Sequence, residues 1–122
     1  DEAQRFSDVS IDEMKTLYNQ QAGFYELQAQ IFNHGNLSAP SQRDQVGFML
    51  RLFDKNQKTI YELAWKKELH LQPGQSTFEK VQVPDFIYRE SCGYVFIIDP
   101  SRRLNEWNDQ NNFYYQQKAC GE

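Results

Sequence analysis

The residues able to do covalent or metal chemistry are few. Cys92 and Cys120 are the only cysteines, and His34 and His70 the only histidines. A zinc centre needs four ligands at suitable spacing. No C-x-x-C pair exists here, and both histidines lie far in sequence from both cysteines. A catalytic thiol needs a basic neighbourhood or a helix N-terminus to lower its pKa. Cys92 stands in Glu90-Ser91-Cys92-Gly93 and Cys120 near the end of the sequence, and neither context is electropositive. An even pair of this kind suits a disulfide in an oxidising compartment, with two inert free thiols as the alternative. The stretch from Asp99 to Asn112 is rich in oxygen donors: Asp99, Asn105, Glu106, Asn108, Asp109, Asn111 and Asn112. Calcium takes six to eight such donors. The spacing is not that of a calcium loop, however, and Arg102 and Arg103 sit inside it. Asn and Asp side chains that hydrogen-bond a long loop to itself explain the composition better. No metal and no cofactor is therefore expected.

Other chemistry is as sparse. Asp85 and Glu90 are the kind of carboxylates that do acid–base work, but solvated loop charge accounts for them. Nucleophile-elbow, metalloprotease and glycine-rich phosphate-loop motifs are all absent from the sequence. The expectation is a protein that is not an enzyme, with no catalytic residues. Trp65 and Trp107 raise the question of sugar stacking. Trp65 keeps core parity in its strand, which leaves Trp107, in a polar stretch, as the candidate sugar platform.

Composition bounds the rest. The length of 122 residues predicts a single domain spanning 1–122. The net charge of −4 argues against a nucleic-acid partner, which calls for a basic patch. Aromatic residues at 15% exclude a disordered chain. No apolar run approaches the ~18–20 residues of a membrane-spanning helix. No signal segment remains within the sequence at Asp1, which therefore reads as the start of a mature chain or an excised domain.

Period-two alternation is the dominant pattern. Tyr25, Leu27, Ala29 and Ile31 alternate with Glu26, Gln28 and Gln30, and Asn33-His34-Gly35-Asn36 makes a turn. Val46, Phe48, Leu50 and Leu52 are the next apolar set, closed by the turn Asp54–Gln57. Tyr61, Leu63, Trp65, Leu69 and Leu71 share one parity, with Lys67 as the exception, and Pro73-Gly74 follows. Val81 and Val83 form a short strand that ends at Pro84. Tyr94–Ile98 is almost continuously apolar, as a strand covered on both faces would be. Phe113-Tyr114-Tyr115 opens the last strand. The fourteen glutamines are scattered and suit uncharged solvent-facing positions. Short strands at this spacing predict an all-β sandwich. The N-terminal stretch is ambiguous. Ser10-Ile11-Asp12-Glu13 is a capping box, and Ile11, Met14, Leu17 and Tyr18 fit one helical face, so the residues alone favour a short helical turn. Val9 and Ile11 also alternate as a strand would.

Three places resemble the bacterial adhesion-related immunoglobulin-like domain called CARDB. Ile31-Phe32-Asn33-His34-Gly35-Asn36 is similar to that family's "hydrophobic-x-Asn-x-Gly" strand end. Leu69–Ser76 is similar to its "Leu-x-Pro-Gly-x-Ser/Thr" turn. Ile98-Asp99-Pro100, followed by Leu104–Asn112, is similar to its "Val-Asp-Pro" ending with a Glu- and Asn-rich tail. The order and spacing fit nearly the whole chain. The segment Pro84–Ser91 is bulkier and more charged than the family's short linker, and the cysteine pair is not a family hallmark. The resemblance implies a seven-stranded immunoglobulin-like β-sandwich with residues 8–17 as its first strand. It implies a secreted, periplasmic or surface bacterial protein without enzymatic activity, working in protein interaction or adhesion, by self-association or with a protein partner. A carbohydrate-binding module and a small periplasmic enzyme or inhibitor are the alternatives.

In that topology Tyr94–Asp99 and Phe113–Lys118 are neighbouring antiparallel strands. Setting Asp99 opposite Phe113 places Cys120 opposite Cys92, within disulfide reach. The third strand then pairs with this hairpin. Met49, Arg51, Phe53, Val95 and Ile97, all out of core parity, form an apolar stripe with one arginine on an outer sheet face. That stripe is the candidate partner face, unless the N-terminal residues cover it.

Overall fold

The computed structural model describes residues 9–98 and 113–120, with 39–43 described at the backbone level. Seven strands make two antiparallel sheets. These are β1 (Val9–Asn19), β2 (Phe24–Asn33), β3 (Ala39–Phe53), β4 (Thr59–Leu71), β5 (Ser76–Pro84), β6 (Gly93–Ile98) and β7 (Phe113–Gln117), with one helix, α1 (Asp85–Glu90), between β5 and β6. One sheet runs β1-β2-β5 and the other β4-β3-β6-β7. The alternation seen in sequence sets the core. Leu27, Ala29 and Ile31 meet Val46, Phe48, Leu50, Leu52, Leu69, Leu71, Phe96 and Ile98 between the sheets, all buried. Phe48 stacks on Trp65 with centroids 5.8 Å apart, and Trp65 meets Phe96 edge-on at 5.8 Å.

The N-terminal helical turn does not form. Val9–Asn19 is strand β1, paired with β2 from Val9↔Asn33 to Asn19↔Phe24. Pairing against an apolar neighbour outweighs local helix signals, because most helical stability comes from tertiary packing and not from propensity. The capping-box residues serve a bulge instead: the register shifts between Ile11 and Glu13, and there Ser10 Oγ donates to Asp12 Oδ1 at 2.5 Å. The helix lies at Asp85–Glu90, where a charged loop is expected from sequence. Asp85 in its first turn and Arg89 in its last complement the helix dipole and pair at 2.7 Å.

Turns form where their residues dictate. Gly23 takes φ +71° at the β1–β2 turn, a conformation without penalty for glycine alone. Asp54 Oδ1 accepts the N–H groups of Asn56 at 2.8 Å and Lys58 at 3.0 Å, closing the β3–β4 turn. Those amide hydrogen bonds, Lys58 first, hold the Asp54 carboxyl below its ordinary value of 3.8.

Two of the quoted motifs meet in space. Asn33 is fully buried. Its Nδ2 donates to Leu37 O at 2.8 Å and Leu71 O at 3.0 Å, and its Oδ1 accepts from Gly35 N at 3.0 Å. Gly74 N donates to the Asn33 carbonyl at 2.9 Å. The strand end at Asn33 and the Pro73-Gly74 turn are thus one hydrogen-bonded corner that joins the two sheets.

Candidate functional site

The four-stranded sheet has one face on the core and one outside. On the outer face, β3 pairs with β6 through Met49↔Ile97, Arg51↔Val95 and Phe53↔Gly93. β6 pairs with β7 through Ile97↔Phe113, Val95↔Tyr115 and Gly93↔Gln117. Met49, Ile97 and Phe113 therefore make one cross-strand row, and Arg51, Val95 and Tyr115 the next. Met49, Arg51, Phe53, Val95 and Ile97 are half-buried, while Phe113 and Tyr115 are 47% and 49% exposed. The structure thus brings all five residues of the sequence-derived stripe onto one face. It adds Phe113 and Tyr115, which come from the register of the last hairpin. Phe53 leans on Tyr115 with centroids 6.2 Å apart. Arg51 Nε donates to Glu62 Oε1 at 2.5 Å across β3 and β4. An exposed pair of this kind adds little stability. It does neutralise the one cation in the stripe. β1 belongs to the opposite sheet, so Val9–Asn19 does not lie over this face.

Cys92 and Cys120 are joined by a disulfide, with Cα atoms 4.4 Å apart. The register behind that expectation is two residues off. Ile97, not Asp99, stands opposite Phe113, and Lys118 N donates to Cys92 O at 3.1 Å. The chain leaves the ladder after Lys118, and Cys120 reaches Cys92 from a turn. A slip of two keeps every side chain on its face, so the stripe survives the error. Lys118 Nζ donates to Ser91 O at 2.7 Å and lies 4.8 Å from the Tyr88 ring centroid. At Gly93 a Cβ would meet Gln116 O at 2.8 Å, so only glycine lets β7 come this close.

Trp65 packs on the core, as its parity requires. Its Nε1 donates to Glu79 Oε1 at 2.8 Å, and Lys67 Nζ lies 3.0 Å from Glu79 Oε2. Glu79 is buried. This cluster links the edge strands β4 and β5 of the two sheets. Sequence reasoning passed over Glu79. The available signal was a pair of opposite charges, Lys67 and Glu79, at inward positions of consecutive strands.

A second unforeseen group is aromatic. Tyr25 lies between Tyr18 at 4.7 Å and Tyr88 at 4.2 Å, centroid to centroid, and the Arg89 guanidinium carbon is 5.8 Å from the Tyr18 centroid. The ladder fixes α1 on the β1–β2 hairpin, where Asp85 N also donates to Gly23 O at 3.0 Å. Asp85 is therefore engaged by Arg89, and Glu90 is an exposed charge.

His34 Nε2 lies 3.0 Å from Asp12 Oδ1. Burial pushes the Asp12 carboxyl up, but hydrogen bonds from His34 and Ser10 outweigh it and hold it below 3.8. Among the described residues no three His, Cys, Asp or Glu side chains come together as metal ligands. His70 is half-buried on β4. The Asp99–Asn112 stretch and Trp107 lie outside the described residues. Tyr94 is buried and hydrogen-bonded to Thr16, and burial pushes its phenol up to about 12. No helix among the described residues is long and apolar enough to cross a membrane.

The strands, their order and the packed interior define an immunoglobulin-like β-sandwich. No family model matches the chain, and no curated protein matches it. Solved structures do. The chain is similar to the CARDB domain of a Pyrococcus furiosus protein, described in complex with di-metal ions, with a TM-score of 0.63, 16% identity and coverage of 94% of this chain and 89% of that one. It also matches a DUF1425 family member from Shewanella, with a TM-score of 0.49, 16% identity and coverage of 93% and 81%. A β-glucosidase of Bifidobacterium adolescentis matches with a TM-score of 0.49, 10% identity and coverage of 91% of this chain but 17% of the enzyme. The fold is that of a CARDB domain, as the sequence motifs imply.

Proposed function

We propose that this domain is a non-catalytic protein-interaction module of the adhesion type, carried by a secreted, periplasmic or surface protein. It meets its partner through the outer face of the four-stranded sheet. The observation that carries the reading is the pair of adjacent rows, Met49–Ile97–Phe113 and Arg51–Val95–Tyr115, which set apolar groups side by side on an outer face. Contiguous apolar surface of this kind marks partner sites on soluble domains. The likeness to a CARDB fold supports a binding role. The disulfide supports an oxidising compartment. The di-metal ions belong to the description of the Pyrococcus furiosus domain, and among the described residues of this chain no cluster of three His, Cys, Asp or Glu side chains argues for carrying them over. No observation among the described residues favours a carbohydrate site or an enzyme over this reading.

The test is Met49→Ala with Phe53→Ala. Large-to-small changes in a core cost ~2–5 kcal/mol each. From a half-exposed face the cost should stay near ~1 kcal/mol each. The expected result is a folded monomer that no longer associates with its protein partner or with itself. Unfolding of the double variant, or unchanged association, overturns the reading.

A further inference from the structure

Among the described residues the two sheets end in four edges: β1 and β5 in one, β4 and β7 in the other. Open edges invite another strand, and proteins blunt them with charge, proline, bulges or inward-pointing ionic groups. Three of these edges are blunted. β1 carries Asp12, Glu13 and Lys15 and a register shift beside them. β4 carries Glu62, Lys66, Lys67 and Glu68, with Lys67 paired to the buried Glu79. β5 carries Glu79 and Lys80 and ends at Pro84. β7 is Phe-Tyr-Tyr-Gln-Gln, with no charge, no proline and an unbroken register against β6.

The direction of its backbone groups follows from one hydrogen bond. Lys118 N donates to Cys92 O at 3.1 Å. Alternation along an antiparallel strand then turns Gln116 and Tyr114 toward β6. It leaves the N–H and C=O groups of Phe113, Tyr115 and Gln117 pointing out from the edge.

We propose that β7 pairs antiparallel with β7 of a second copy of this chain, about a two-fold axis at Tyr115, so that two four-stranded sheets become one continuous sheet. This register sets Phe113 opposite the partner's Gln117 and Tyr114 opposite the partner's Gln116. Outward-pointing groups then meet outward-pointing groups along the whole strand. The contact is isologous and closes at two copies. Each chain has a net charge of −4, so copies repel in general, and the uncharged edge is where approach costs least. The apolar rows that end in Phe113 and Tyr115 reach the new junction. The inference thus rests on the interaction reading above and names its partner on this side as the chain itself.

The experiment is sedimentation velocity of the oxidised domain over a roughly hundredfold concentration range, with two double variants. Phe113→Lys with Gln117→Lys places like charges opposite each other across the two-fold. Phe113→Lys with Gln117→Glu places opposite charges there. Both lose the same aromatic group, so a general folding or packing defect weakens both alike. The expected result is a reversible dimer that the opposite-charge variant keeps and the like-charge variant loses, with dissociation constants at least about tenfold apart. Tyr115→Pro removes an outward N–H and no β6–β7 bond, and it should also give a monomer. A wild-type monomer at every concentration overturns the inference, while the face reading still stands or falls with Met49 and Phe53. A dimer that both double variants weaken equally also overturns it, and puts the contact on the apolar face.

Discussion

Asn33 Nδ2 donates to the backbone carbonyl of Leu71 at 3.0 Å, joining the end of β2 to the end of β4 across 38 residues of sequence. The same side chain holds Leu37 O and Gly35 N. A buried amide with this many partners is costly to remove, since the groups left behind stay desolvated. Asn33→Ala should lower the unfolding free energy by about 2–4 kcal/mol. Asn33→Asp should be worse, because a carboxylate would face the Leu37 and Leu71 carbonyls. Urea denaturation at neutral pH measures both.

Glu79 supplies the second prediction. Glu79→Ala strands the Trp65 indole N–H and removes the partner of Lys67, and should cost about 2–3 kcal/mol. Glu79→Gln keeps an acceptor for Trp65 and should cost less. Lys67→Ala should cost under about 1 kcal/mol, since its ammonium is largely exposed. Equal losses for all three variants would refute this ranking.

The disulfide spans 28 residues, a loop worth about 3–4 kcal/mol in the chain-entropy model. Replacing both cysteines by serine should lower the melting temperature by roughly 10–20 °C. Thiol titration of the denatured, unreduced wild type should find no reactive group.

The alkaline limb of stability should depend on Tyr94. Burial raises its folded pKa to about 12 from 10.0, so the fold favours the protonated phenol. That contribution is complete below pH 10 and is lost as the pH rises toward 12. Tyr94→Phe should abolish this part of the alkaline decline, at a cost of about 1 kcal/mol at neutral pH for the Thr16 hydrogen bond. Chemical denaturation at pH 8 and pH 11 compares the two proteins.

Much of the sandwich is legible in sequence because burial on one face writes itself as alternation. Leu27, Ala29 and Ile31, or Phe48, Leu50 and Leu52, need no other explanation. The turns at Asp54 and Gly74 are legible through side-chain chemistry. What escapes is decided by pairing between distant segments. Ser10 and Glu13 satisfy a helix signature, yet β2 lies alongside and claims them. Asp85 and Arg89 mark a helix whose six residues are too few to show a period. The outer-face stripe is legible because parity alone fixes it. The exact mates of Val95 and Ile97 are not, since a slip of two leaves the pattern unchanged. Glu79 is hidden because a charge in a short strand reads as solvent-facing until its partner across the sheets is known.

The bridge between Cys92 and Cys120 also changes how the domain would bear a pull. Tension arriving from the C-terminal side enters through the sulfur atoms at the start of β6 and bypasses β7 and the hairpin. The bypassed loop, with a contour of roughly 90 Å, cannot be paid out while the bond is intact. Force then passes into the chain on the N-terminal side of Cys92, whose own N–H holds Phe53 O at the end of β3 at 2.6 Å. A reducing environment would release that contour and let β7 peel one bond at a time. Under load, the oxidised domain would lengthen less than the reduced one by that loop's contour.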